Sequence, residues 1–161
     1  MKARAFLAML ISTATVACNG VPVETPRDFA FRFKSTFAAV YTLDTFNGTL
    51  QRITESNDDT IISFHLSKCE LDSVYALMRD VEFFSLPEYL EPEGGIWVFP
   101  APWYSYTVRA HGVMKHVSLG GSFTSGVMAI QKLRRLNKLI IEMVTNSPEY
   151  RMLPRSTDRM L

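Results

Sequence analysis

Cysteine is scarce in this chain: two in 161 residues, Cys18 and Cys69, too few for a disulfide scaffold or a cysteine-built zinc site. Histidine is scarce too. His65 falls at a strand end, His111 at a turn tip and His116 five residues on, a spacing that does not bring together the three or four ligands of a metal centre. No apolar run approaches the roughly 20 residues that cross a bilayer as a helix. Charge of either sign is balanced, with 17 basic and 16 acidic residues, so the basic excess of a nucleic-acid-binding domain is missing. Gly94-Gly95 and Gly120-Gly121 are too short to cradle a phosphate. The run Gly121-Ser122-Phe123-Thr124-Ser125-Gly126 lacks the Gly-x-Ser-x-Gly form of a hydrolase elbow, and its Ser125 reads as a helix cap. Glu88, Glu91 and Glu93 lack the ligand spacing of an EF-hand. These absences point away from an enzyme, a cofactor or a metal, with a hydrolase as the competing class.

What is present begins with an address. Lys2 and Arg4 precede Ala5 to Ala17, a stretch without charge, and Thr15-Val16-Ala17 leads into Cys18. A basic start, a short apolar stretch and small residues before the cut describe a secretory signal peptide. Because it ends on Cys, the segment resembles a bacterial lipoprotein signal. That resemblance implies cleavage after residue 17, acylation of the Cys18 thiol and anchoring in a membrane, on the periplasmic side of the outer membrane. The alternative is ordinary cleavage near Cys18, leaving a soluble periplasmic or secreted protein. An oxidising compartment then allows Cys18 to pair with Cys69. Cys69 itself falls at the start of a predicted helix, where a thiol pKa can drop, and reads as a small structural residue rather than a nucleophile.

Residues 18–27 read as the lipidated cysteine and its tether, with two prolines and no hydrophobic period. Residues 28–147 read as one domain. Phe29, Phe31 and Phe33 alternate with Ala30, Arg32 and Lys34, the period of a half-buried strand, and Phe37 to Leu43 continues it. Asn47-Gly48 marks a tight hairpin into Leu50–Ile53, and a further strand follows at Thr60–Leu66. Ser67-Lys68-Cys69-Glu70 has capping-box form. Behind it Leu71, Val74, Leu77, Met78 and Val81 share one helical face. A second hairpin is expected about His111-Gly112, between Tyr106–Ala110 and Met114–Leu119. The longest helical pattern runs over 127–145, with Ile130, Leu133, Leu136, Ile140, Met143 and Val144 inward and Gln131, Lys132, Arg135, Lys138 and Glu142 outward. Residues 148–161 read as a poorly ordered C-terminal tail. The order ββ(β)-α-ββ-α is α+β: an antiparallel sheet with helices packed on one face.

At Phe37-Ala38-Ala39-Val40-Tyr41-Thr42-Leu43 and Asn47-Gly48-Thr49 the chain resembles the first hairpin of a family of small bacterial envelope lipoproteins without assigned function. That family has a Cys-Pro-Val-Tyr-like segment here, where this chain carries Ala38-Ala39. Phe83-Phe84-Ser85-Leu86, the hairpin at Gly112–Val117 and the terminal amphipathic helix continue the resemblance. The order of elements is also similar to that of the emfourins, protein inhibitors of thermolysin-type metalloproteases. Neither resemblance supplies a catalytic residue. Both imply a cell-envelope protein that binds a protein partner, either as part of an assembly or as an inhibitor or immunity protein against a secreted protease or toxin.

Two surfaces are candidates for that partner. Trp97, Phe99, Trp103 and Tyr104 cluster around Pro100 and Pro102, and Trp and Tyr are the commonest binding anchors. The competing reading places these rings in the core. Lys132, Arg134, Arg135 and Lys138 form a basic helix face, either solvated or directed at anionic lipid.

Overall fold

The computed structural model describes residues 24–36, 41–53, 59–90, 103–120 and 128–153. The signal peptide, Cys18, Trp97, Phe99, Glu91, Glu93 and Ser125 lie outside the described residues. The elements are β1 (Ala30–Ser35), β2 (Tyr41–Asp44), β3 (Thr49–Ile53), β4 (Asp59–Ser63), α1 (Lys68–Asp80), a 3-10 turn at Phe83–Ser85, β5 (Tyr89–Leu90), β6 (Trp103–Ala110), β7 (Val113–Gly120), α2 (Met128–Asn146) and α3 (Pro148–Arg151). The fold is α+β. Its seven strands form one open sheet in the order β4-β3-β2-β1-β6-β7-β5, antiparallel except where β5 pairs with β7. Four strands precede α1 where the compact order counts two or three, and β6 starts at Trp103, ahead of the expected Tyr106. No described helix is long and apolar enough to cross a membrane.

Turn chemistry sets the hairpins. Between β2 and β3 the Asp44 carboxylate accepts from the backbone N–H of Phe46 at 2.9 Å and Asn47 at 3.3 Å, and from the Asn47 amide at 2.9 Å. Gly48 closes that turn at φ +63°, and the His65 ring occupies the space a side chain there would need. The β6–β7 turn has φ +54° at His111 and +74° at Gly112, the two positive values of a type I′ hairpin. Asp28 caps it by accepting from the backbone N–H of His111 at 3.0 Å and Gly112 at 2.7 Å.

Burial of Asp44 raises its pKa, but hydrogen bonds from Arg32 (2.7 and 2.9 Å) and Asn47 outweigh it and hold the carboxyl below its ordinary 3.8. A carboxyl whose pKa is lowered by folding stabilises the fold above its unfolded value. That contribution disappears as pH falls through the lower, folded value. Asp44→Asn should therefore be less stable at neutral pH, with a shallower decline between neutral pH and acid. Urea titrations across that range check it; an unchanged acid slope would mean that Asp44 carries none of the pH dependence.

Alternation along the strands selects one face for the core. Phe31 and Phe33 of β1, Leu43 of β2, Leu50 of β3, Tyr106 and Val108 of β6 and Val117 and Leu119 of β7 are all buried. They share one cluster with Val74, Tyr75 and Met78 of α1 and with Ile130, Leu133, Leu136, Ile140 and Val144 of α2. The sequence periodicity of α2 thus matches its burial, with Met143 only partly buried. On α1 Leu71 and Leu77 are partly buried, and Tyr75, outside the expected apolar face, is buried. Inside the core, polar groups pair with one another: the Tyr106 hydroxyl donates to Asn137 Oδ1, which satisfies a side chain that would be costly to bury alone.

Helix α1 starts as its sequence requires. The Ser67 side chain accepts from the Glu70 backbone N–H at 3.3 Å, and the Glu70 carboxylate accepts from the Ser67 backbone N–H at 2.7 Å. Ser67→Ala should cost about 0.5–2 kcal/mol, read by denaturant titration; no loss would show the cap to be dispensable.

The expected tail is corrected in part. Ser147 caps α3 by accepting from the Tyr150 N–H at 3.1 Å, Leu153 is buried, and the Arg52 guanidinium of β3 lies 5.2 Å over the Tyr150 ring. Residues 148–153 therefore pack on the domain, with Leu153 in the core cluster and Tyr150 against it.

Candidate binding surface

The strand residues that alternate with the core ones face outward: Arg32 and Lys34 on β1, Ser105, Thr107 and Arg109 on β6, His116 on β7. These are exposed or half-buried. Most of the face is therefore polar, and its charges are partly spoken for. Arg32 pairs with Asp44 at 2.7 Å, and the Arg109 guanidinium lies 5.2 Å over the Phe46 ring. The His116 ring sits between two hydroxyls, 3.2 Å from Thr107 Oγ1 and 3.0 Å from Ser118 Oγ.

Ile61 of β4 and Met114 of β7 are exposed apolar side chains on this face, and at one corner strand register gathers two aromatic ones, with Trp103, Gly120, Ser118 and Tyr89 together. Trp103 opposes Gly120 across the β6–β7 pair, and Tyr89 opposes Ser118 across β5–β7. Because Gly120 has no side chain, the Trp103 indole occupies the space directly over it. The Tyr89 ring lies 5.9 Å from the indole, tilted by 33°. Trp103 is 37% exposed and Tyr89 41%. The strand beneath is fixed: the Trp103 backbone N–H donates to Thr36 Oγ1 at 3.0 Å, and the Thr36 backbone N–H donates to the Trp103 carbonyl at 3.0 Å. The Ser118 backbone N–H donates to the Glu88 carbonyl at 2.7 Å, which holds β5 on the edge. The corner is thus a pair of exposed rings on strands whose backbone is held by pairing.

Sequence reasoning grouped Trp103 with Tyr104, and the sheet separates them. Tyr104 is corrected to a core residue: it is 7% exposed and its ring stacks at 5.9 Å on Phe33. Burial pushes its hydroxyl pKa up, against a hydrogen bond with Ser35 that lowers it. Adjacent strand residues point to opposite faces, so only one of the two can meet a partner. Tyr89 was missed because it lies beyond the 97–104 cluster in sequence, and a two-residue strand carries no periodic signal.

The basic helix face carries surface ion pairs. Lys132 pairs with Glu82 and Arg135 with Asp80, each at 3.0 Å, and Lys138 lies 3.8 Å from Glu142. These cations are already matched to carboxylates, two of them on the α1 side of the fold, which weakens the case for a lipid-facing stripe. Surface pairs of this kind contribute little stability.

The histidines stand apart. His65 is 3.2 Å from Ser63 Oγ, and His111 Nε2 is 3.1 Å from the Tyr75 hydroxyl. Among the described residues none of the three rings hydrogen-bonds a carboxylate. His65 also lines an open cleft of about 480 Å³ with Glu70, Glu142, Met143 and Ser147. The hydroxyl there is engaged elsewhere, since Ser147 Oγ donates to the Val144 carbonyl at 2.9 Å, and Glu70 is committed to the α1 cap. The remaining thiol is not free: Cys69 is disulfide-bonded. No family model matches the chain and no curated protein matches it, so what this surface binds is argued from its own geometry.

Proposed function

We propose that this chain is an exported, non-enzymatic protein of a bacterial cell envelope whose α+β domain binds a protein partner through the outward corner at Trp103 and Tyr89. The observation that carries this reading is Trp103. It stands on the polar outward face, not in the core, with its backbone clamped by Thr36 and its ring held over Gly120. The signal-like segment before Cys18 supports export. The resemblance to the emfourins supports a narrower form: inhibition of, or immunity against, a secreted protease or toxin. The resemblance to envelope lipoproteins supports a structural or assembly role, with acylated Cys18 holding the domain at the membrane.

Affinity capture from an envelope extract tests the reading, with Trp103→Ala as the paired control. One stoichiometric enzyme bound by the native chain and lost by the variant supports inhibition or immunity; a multi-protein assembly lost in the same way supports the structural role. Equal capture by both chains overturns the proposed surface. Turnover of a peptide or ester substrate by the purified domain overturns the non-enzymatic reading and restores the hydrolase.

A further inference from the structure

Resting on the Trp103 corner proposed above as the contact, we propose that the partner is an acidic protein segment. It sets a carboxylate against the Lys34 ammonium, beside an apolar side chain that lies on the Trp103 and Tyr89 rings.

Strand register puts Lys34 at that corner. Lys34 opposes Ser105 across the β1–β6 pair, Ser105 opposes Ser118 across β6–β7, and Ser118 opposes Tyr89 across β5–β7. Trp103 is two residues before Ser105 and so shares its face. Lys34 and Trp103 are therefore diagonal neighbours, roughly 7–8 Å apart, a gap that long side chains span. The backbone beneath Lys34 is paired on both sides, to β2 and to β6. Two residues on, Thr36 clamps the Trp103 backbone.

Charge is sorted unevenly over the molecule. The 17 basic and 16 acidic residues nearly cancel, yet the outward side chains described on β1, β2, β6 and β7 include Arg32, Lys34 and Arg109 against Asp44 alone. Asp44 is taken up by Arg32, and Arg109 donates to the Asp28 carbonyl at 3.2 Å and lies over Phe46. Lys34 is exposed and has no ion pair or side-chain hydrogen bond among the described residues. A single uncommitted cation does not suit a polyphosphate such as nucleic acid, which binds by having many phosphates neutralised. A carboxylate in open water gains little from an exposed lysine. An apolar side chain covering the two rings removes water beside the ammonium, which strengthens the pair and penalises a partner that brings no carboxylate. Acidic and apolar groups side by side are what a protein segment supplies.

Fluorescence anisotropy of a labelled random copolymer of glutamate and tyrosine, titrated with the full-length chain, tests the assignment. The copolymer should bind, and added salt should weaken it. Lys34→Glu should weaken binding about tenfold or more. Lys34→Arg should stay within about twofold of the native chain, and so should Lys68→Glu, which changes net charge equally from α1. Trp103→Ala should weaken binding too. No binding of the copolymer, or equal losses in Lys34→Glu and Lys68→Glu, overturns the acidic partner. An oligothymidylate bound as tightly as the copolymer overturns it in favour of phosphate. Loss with Trp103→Ala but not with Lys34→Glu overturns the acidic partner and leaves the corner as the contact. Loss with Lys34→Glu alone, or with neither, overturns the corner together with it.

Discussion

Phe33→Ala should lose about 3–5 kcal/mol of stability, the range for removing a buried aromatic ring. Phe33 is on β1, which is hydrogen-bonded on both sides, to β2 and to β6. Its ring is fully buried, 5.1 Å from the Tyr106 ring and 5.9 Å from that of Tyr104. Each neighbour is itself fixed: Tyr106 by its bond to Asn137 and Tyr104 by its strand pairing. The surroundings therefore have little freedom to collapse into the void, which places the cost well above simple transfer of the ring to water. The neighbouring Lys34→Ala is the internal control. Lys34 is exposed on the opposite face, and such a change should stay within about 0.5 kcal/mol. Paired denaturant titrations of the two variants measure the difference directly. Similar losses at both positions would mean that the faces of β1 are assigned the wrong way round.

Trp103→Ala should weaken capture of the partner by about 2 kcal/mol or more, roughly thirtyfold, while destabilising the domain less than Phe33→Ala. The ring is held at the surface over Gly120 and not among the core residues, so its removal opens no internal cavity. Gly120→Ala supplies a second route to the same question. It keeps the indole but fills the space the indole occupies, and it should also weaken binding, because the ring must shift off its seat and away from Tyr89. Tyr104→Phe should leave binding unchanged, since that hydroxyl is on the core side. Loss of affinity in Tyr104→Phe with none in Trp103→Ala would transfer the contact to a different surface.

Local signals proved readable wherever one short stretch contains all the interacting parts. Ser67 and Glu70 satisfy each other three residues apart, Gly48 and Gly112 take the positive φ their turns require, and the apolar positions of α2 recur at helical spacing. The α+β class followed from the order of such stretches. The signal-like start and the acylation of Cys18 that its resemblance implies remain expectations of the sequence, since residues 1–23 lie outside the described residues.

The remaining features were set by contacts across long stretches of chain. Nothing near Tyr89-Leu90 announces a strand; that pair is fixed by Ser118 and Leu119 of β7. Nothing around Asn137 announces a buried amide, which is tolerated only because Tyr106 meets it from the sheet. Trp103 and Tyr104 are chemically similar neighbours, and their composition assigns both to one surface. Their roles diverge because a pleated strand alternates its faces, so that Tyr104 joins the buried cluster while Trp103 stays exposed. Periodicity names the residues that must be sheltered, whereas strand register decides what shelters them and which rings stay in water.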